Sequence, residues 1–336
     1  MSIVMTGGGT GGHLAIIKAV KEELTDSELI YIGSTKGQDR AWFEDDRDFQ
    51  AKYFLDTQGV VNQGVLGKFK SIYMLLKATL KARAILKKSN AKVVFCVGGF
   101  SAAPTSFAAK SLKIPLIIHE QNASIGSLNR LLRPYCDAFI SSYEESSPIK
   151  AYPIKKEFFQ KARVRREIKT IIFLGGSQGA VAINKLAIKI APTLKEKGIK
   201  IIHQAGDRNI QEVKKQYQDI GIDATVFGFT DKLSDYMAEA DFAVARAGAS
   251  TLWELSAIGC PALFIPYPYA ANDHQYYNAK FLEEQGVAWI IRENDITPQK
   301  VIDILDEDIE SRSKKLQTLI QKDGAKEIAN LLREYQ

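Results

Sequence analysis

Short, continuous apolar runs alternate along this chain with longer stretches of helical periodicity. That is the mark of strands buried on both faces and joined by crossover helices. The first half predicts strands at residues 3–6, 29–32, 93–97, 116–119 and 138–141. The second half predicts them at 170–174, 200–204, 224–227, 242–245, 262–265 and 288–290. Helix-length segments lie between most of them, so the expected class is α/β, with βαβ units and parallel sheets. The pattern restarts at Thr170. "TIIFLGGSQGAVAINKLA" repeats the strand, Gly-rich turn and helix of "SIVMTGGGTGGHLAIIKAV". Two such starts predict two doubly wound halves, with ligand in the cleft faced by the carboxyl ends of their strands. Residues 150–169 carry ten Lys, Arg or Glu residues and read as an exposed connection.

A length of 336 residues and a hydrophobic fraction of 46% agree with two ordinary globular cores. Cys96, Cys136 and Cys260 form no CxxC pair, and their odd count speaks against a disulfide framework and for a reducing cytosol. No basic stretch precedes the first strand, so no signal peptide is expected. No apolar run reaches the ~18 residues that would predict a membrane-spanning helix.

Charge changes the picture. The net charge is +6, but residues 57–119 contain no Asp or Glu and ten basic residues. The remainder holds 45 − 10 = 35 basic against 39 acidic residues, a net of −4. All the positive excess sits in one region, which points to an anionic partner, nucleic acid or lipid. Residues 66–88 within it read as a basic amphipathic helix. Phe69, Ile72, Tyr73, Leu76 and Leu80 share a face, Lys70, Lys77, Lys81 and Lys88 line up beside it, and Arg83 lies on the apolar side. One reading is a crossover helix with its apolar face on the sheet. The other is a surface that meets anionic lipid headgroups, at about 1 kcal/mol per engaged Lys or Arg. The acid-free surroundings favour the second.

Four glycine-rich loops carry the candidate chemistry: "GGGTGGH", "CVGGFSAAP", "LGGSQGA" and "ARAGASTLWE". Residues 7–12 satisfy G-x-G-x-x-G, yet a dinucleotide site also needs an acid at the end of the second strand. Gly33 and Ser34 stand there instead. A Walker A loop fails for want of G-K-[ST]. Five glycines in six positions exceed what a turn needs and suggest backbone amides closing on a phosphate or sugar. The helix opening at "GASTLWE" offers the amides of Ser250 and Thr251 to a diphosphate. Glu254 reads equally as dipole compensation or as an acceptor for ribose hydroxyls. His13, at the first helix, reads as a base held neutral by the dipole or as a cap or phosphate contact. No histidine pair has metal-ligand spacing. Asp46/Asp48 and Asp306/Asp308 read as solvated surface.

In this order and spacing, "GGTGGH", "VGGF", "HEQN", "GGSQGA", "RAGASTLWE" and "NDHQYYNA" resemble the MurG family of cell-wall glycosyltransferases over nearly the whole chain, from Ser2 to about Leu332. The resemblance implies a GT-B fold of two Rossmann-like domains facing a cleft. Residues 1–152 would be the acceptor and membrane-docking domain and 153–324 the UDP-sugar domain, with a helix over 325–336 returning to the first. The implied reaction is inverting transfer of N-acetylglucosamine from UDP-N-acetylglucosamine to the C4 hydroxyl of the muramoyl sugar of polyprenyl-linked lipid I, giving lipid II. It needs no cofactor and no metal. The implied partners are these substrates, an anionic membrane surface at the cytoplasmic face and other cell-wall synthesis proteins, but no nucleic acid.

Carried over by motif, Thr10, Gly11 and Gly12 would line the site, with His13 as candidate base. Asn122 would contact the donor sugar and Ser177 the donor diphosphate. Thr230 would read uracil. Ala249, Ser250, Thr251 and Leu252 would cradle the diphosphate, with Glu254 on the ribose and Gln275 on the transferred sugar. Lys155 stands where the family has an arginine, keeping the charge without the bidentate fork. Phe100 stands where tyrosine is common. Phe69, Lys70, Ile72, Tyr73, Leu76, Lys77, Lys81 and Lys88 would form the docking face. The competing readings are a GT-B transferase for another lipid acceptor, a sugar-nucleotide epimerase, an NAD-dependent dehydrogenase and a non-catalytic membrane-surface binder.

Overall fold

The computed structural model describes residues 2–57, 65–176 and 178–336, with side chains of the long basic helix from Lys70 onward. Two compact units result: Met1–Lys155 with Asp323–Gln336, and Lys156–Lys322.

The first unit holds β1 (Ser2–Thr6), β2 (Glu28–Ser34), β3 (Ala51–Leu55), β4 (Ala91–Cys96), β5 (Leu116–Glu120) and β6 (Ala138–Ser141). They form one parallel sheet in the order β3-β2-β1-β4-β5-β6. Between them run α1 (Gly11–Lys21), α2 (Asp39–Phe43), α3 (Val65–Lys88), α4 (Ala103–Ser111) and α5 (Ser127–Leu132). Ile3, Val4, Val93, Val94 and Phe95 are fully buried, as continuous apolar strands covered on both faces must be. β3 is absent from the hydrophobic pattern. It is an edge strand whose sequence, AKYFL, mixes charge with apolar residues, and four of its five positions are only half-buried.

The second unit holds β7 (Thr170–Leu174), β8 (Lys200–Gln204), β9 (Ala224–Phe227), β10 (Phe242–Ala245), β11 (Ala262–Phe264) and β12 (Ala288–Ile290). Its parallel order, β12-β11-β10-β7-β8-β9, repeats that of the first unit. Its helices are α6 (Lys156–Gln160), α7 (Val181–Glu196), α8 (Ile210–Asp219), α9 (Leu233–Glu239), α10 (Ala249–Ala257), α11 (His274–Glu284), α12 (Pro298–Leu305) and α13 (Ile309–Leu319). The last helix, α14 (Gly324–Arg333), belongs to the first unit. It packs on α1 and buries Ala325, Ile328, Ala329 and Leu332, and Arg333 reaches the Glu23 carbonyl and Asp26, both at 2.7 Å. A Cβ on Gly324 would lie 2.5 Å from the Ala151 carbonyl, so this return needs glycine.

The charged stretch 150–169 is not the exposed connection that its composition suggests. Ala151, Tyr152, Ile154, Phe158 and Arg165 are buried. The Arg165 guanidinium donates to the carbonyls of Arg163, Met237, Ala240 and Ile258. The last three lie at the C-terminal ends of α9 and α10. A cation there meets the negative poles of two helices and satisfies carbonyls that no later turn can reach.

Each sheet also buries one histidine. His203 Nε2 donates to Asn184 Oδ1 at 3.0 Å, and Nδ1 accepts from the Tyr217 hydroxyl at 3.0 Å. His119 lies in β5, edge-on to Tyr152. Burial pushes both pKa values down from 6.5 to about 3. Between those limits the unfolded chain binds more protons than the folded one, so stability falls as pH falls. The loss should approach about 1.4 kcal/mol per pH unit for each histidine. Urea midpoints measured between pH 6.5 and 4.5 should show it. His203→Gln should flatten the slope, and an unchanged slope would assign the acid sensitivity elsewhere.

Candidate active site

In a doubly wound sheet the binding crevice opens where the strand order reverses. In the first unit that point lies between β1 and β4, and the loops leaving it are residues 7–10 and 97–99. A Cβ on Gly99 (φ +80°) would sit 2.5 Å from the Gly8 carbonyl, so the two loops touch backbone to backbone. The glycine loop is held from below by Asp39, the first residue of α2, which is fully buried. Its carboxylate accepts from Gly9 N at 2.7 Å and Ser34 N at 2.9 Å. The Tyr31 hydroxyl lies 3.0 Å from Asp39 Oδ1 and 2.9 Å from the Gly7 carbonyl. Burial, then the Asp39 charge, raises the Tyr31 pKa far above its ordinary value. An acid does follow β2, but it is turned inward onto the loop and spent there. Its sequence signal is an acid closing the polar turn "GSTKGQD".

Thr10 is the N-cap of α1, and its hydroxyl makes no capping bond. It lies instead 2.9 Å from His13 Nδ1. The other ring nitrogen, Nε2, lies 3.1 Å from the Gln121 amide, in the loop after β5. That loop is tied down by Glu120, which accepts from Asn122 N, Gly126 N and Asn129 Nδ2, each at 2.9 Å. Asn122 is thus placed by its backbone. Lys155 pairs with Glu22 at 3.3 Å.

In the second unit the reversal lies between β7 and β10. Beside it, Gly179 and Gly206 bring the loops after β7 and β8 into backbone contact. Ser177 lies outside the described residues. Asp207 accepts from Phe229 N at 2.7 Å, and Thr230 Oγ1 accepts from Lys232 N at 3.1 Å. α10 starts at Ala249 after an extended Gly248, so Ala249, Ser250 and Thr251 form its first turn, which carries no acid. Leu252 is fully buried and its N–H donates to the Gly248 carbonyl, so it contributes packing. Glu254 is half-buried. Gln275 Oε1 accepts from Tyr267 N at 2.9 Å, which fixes that amide against the loop after β11.

No cluster of three or more His, Cys, Asp or Glu residues that could hold a metal occurs among the described residues. The acidic pairs are structural. Asp46 and Asp48 hold the buried Lys21 at 2.7 and 2.6 Å; Asp46 is largely buried there, which corrects its reading as solvated surface, whereas Asp48 is 73% exposed. Asp306 pairs with Lys197, and Asp308 caps α13.

α3 also departs from the crossover reading. Its packed face is Ser71, Ala78, Ala82 and Leu86. Ile72, Tyr73, Leu76 and Leu80 are 46, 67, 61 and 69% exposed. Lys70, Lys77, Lys81 and Lys88 are exposed with them. Arg83 binds the Ser111 carbonyl and hydroxyl. The Phe69 side chain lies outside the described residues.

Residues 3–141 match the glycosyltransferase family 28 N-terminal domain and residues 170–332 its C-terminal domain. The chain belongs to glycosyltransferase family 28. This family 28 enzyme is 68% identical over 335 residues to the UDP-N-acetylglucosamine–N-acetylmuramyl-(pentapeptide) pyrophosphoryl-undecaprenol N-acetylglucosamine transferase of Sulfurovum sp. (strain NBC37-1), covering 100% of this chain and 99% of that one. It is 49% identical over 334 residues to the protein of the same description in Wolinella succinogenes, covering 99% of each. The crystal structure of Acinetobacter baumannii MurG superposes with a TM-score of 0.78 at 27% identity, covering 99% of each chain. Two Rossmann-like parallel-sheet domains of the GT-B kind are the shared architecture.

Asp39→Asn would turn one acceptor into a donor facing either Gly9 N or Ser34 N. It should lower stability by about 1–3 kcal/mol, read as a lower urea midpoint at unchanged slope. An unmoved midpoint would remove the anchoring role.

Proposed function

We infer that the chain transfers N-acetylglucosamine from UDP-N-acetylglucosamine to the C4 hydroxyl of the muramoyl sugar of undecaprenyl-pyrophosphoryl-MurNAc-pentapeptide. The products are lipid II and UDP. The observation that carries this reading is the 68% identity, over the full chain, to a relative of that description.

Transfer with inversion is a single in-line displacement. It needs a base for the attacking hydroxyl and positive charge for the departing diphosphate. His13 supplies the base in this reading, with Thr10, Gly11 and Gly12 around it. The first turn of α10, at Ala249, Ser250 and Thr251, takes the diphosphate. Its dipole is uncompensated by any first-turn acid, which supports that role. Ser177 adds to the diphosphate, Glu254 holds the ribose, Thr230 the uracil, Asn122 and Gln275 the sugar, and Lys155 adds charge. Turnover with a lipid I analogue, read as UDP release, tests the reaction. His13→Ala should lower it by roughly 10²–10⁴-fold. A diacylglycerol acceptor turned over in place of lipid I would favour the other lipid-acceptor reading. UDP should raise the melting temperature and NAD should not.

The acceptor's polyprenyl tail sits in a membrane, and α3 is the surface suited to meet it. An exposed apolar stripe flanked by lysines suits an anionic leaflet, with each engaged lysine contributing about 1 kcal/mol. No helix among the described residues is long and apolar enough to cross a membrane. Attachment in this reading is therefore peripheral, at the cytoplasmic face. A combined Lys70→Glu, Lys77→Glu, Lys81→Glu and Lys88→Glu variant should lose co-sedimentation with anionic vesicles while keeping UDP binding. Undiminished sedimentation would sink the docking assignment.

A further inference from the structure

His13 is gripped at both ring nitrogens, and the two partners differ in kind. On Nδ1 stands Thr10, an exposed residue at the mouth of the glycine loop. On Nε2 stands Gln121, only 7% exposed. The Gln121 amide presents its nitrogen to the ring, and its oxygen is buried with no hydrogen-bond partner. An orphaned buried acceptor costs free energy, so it calls for an explanation.

A neutral imidazole has one donor and one acceptor, whereas an imidazolium has two donors. A primary amide carries both functions on one plane, and half a turn exchanges its oxygen and nitrogen in the same space. With nitrogen toward the ring it serves a bare Nε2. With oxygen toward the ring it accepts from Nε2–H, and the amide nitrogen takes the place where the oxygen had no partner. A carboxylate in this place would favour the protonated ring at all times. An apolar side chain would leave Nε2 without a partner.

We propose that Gln121 is a positioning residue that holds His13 and, by turning its amide, makes Nδ1 the atom that takes the proton. This rests on the reading of His13 as the base. With Oε1 on Nε2–H, the ring's lone pair lies on Nδ1, toward the exposed Thr10 side. The acceptor's O–H bond breaks and its proton goes to Nδ1. The oxygen keeps the electron pair and forms the new bond to the sugar carbon, while the sugar's bond to the diphosphate breaks and its pair leaves with UDP. The resulting imidazolium keeps its Nε2–H on Gln121 Oε1.

The charged and titratable groups around the ring leave this role to Gln121. His119, one strand position before Glu120, is fully buried. The Glu120 carboxylate is turned to Asn122 N, Gly126 N and Asn129. Asp39 is spent on Gly9 N and Ser34 N.

The test compares Gln121→Glu and Gln121→Leu in the full chain. The near-isosteric Glu variant guards against misfolding of the Leu variant. Nitrogen-edited NMR follows His13 through a pH titration, and kcat is measured across the same range. Gln121→Glu should raise the His13 titration midpoint by about one unit or more. The acidic limb of kcat should move by the same amount, with activity recovered at higher pH. Gln121→Leu should lower kcat by about tenfold or more while leaving KM for UDP-N-acetylglucosamine within about twofold. An unmoved His13 midpoint in Gln121→Glu, or an equal loss of kcat at every pH, would overturn the proposal. Failure of the base reading shows separately, as near-normal turnover of His13→Ala, and does not affect the titration.

Discussion

Backbone pressed against backbone is the constraint on which the loops of both units depend. Gly9 meets Gly37 in the first unit and Gly179 meets Gly206 in the second, in each case between the loops after the unit's first and second strands, and in the first unit Gly8 also meets Gly99 where the sheet reverses its order. A single Cβ at such a contact would push the two loops apart. The loops after β1 and β7 border the two crevices, so side chains are kept out of these close approaches and amides are brought to the surface. The same topology, used twice, makes the same demand twice.

The acids near these loops obey a second rule. Asp39 and Glu120 turn toward backbone N–H groups from buried positions, and the exposed Asp207 accepts from Phe229 N. The carboxylates thereby rigidify the loops while their charge is neutralised locally by donors. The first turns of α1, α7 and α10 carry no acid at all. Negative charge is thus kept off the helix poles, which leaves them able to attract an anionic ligand. In these two crevices rigidity and electrostatics are served by one set of side chains.

The strands and glycine loops were legible in the sequence because β-branched runs bounded by glycine have few other ways to fold. β3 was not, since an edge strand needs to bury only part of each residue. α3 shows a subtler limit. Its strongest apolar pattern, Ile72, Tyr73, Leu76 and Leu80, faces outward, and the packed face is made of Ala78 and Ala82. Small residues permit close approach to α4 yet barely register as hydrophobic. Asp39 and Arg165 escaped for the opposite reason. Charged residues in polar stretches read as surface, and only the fold reveals the N–H or carbonyl groups that draw them inside. His13 was visible as a residue, but its two partners lie at Thr10 and at Gln121, and the second is reached only through the adjacency of sheet and loop.

The place of α14 has a consequence for how the chain is made. This helix covers α1, yet 156–322 must be synthesised before it emerges. Until then the face of α1 on which α14 packs lacks that helix. The nascent first unit therefore carries an unfinished apolar seam throughout translation of the second. The second unit suffers no such delay, being continuous in sequence and able to close on itself. Order of completion is then inverted relative to order of synthesis: the unit begun first is finished last.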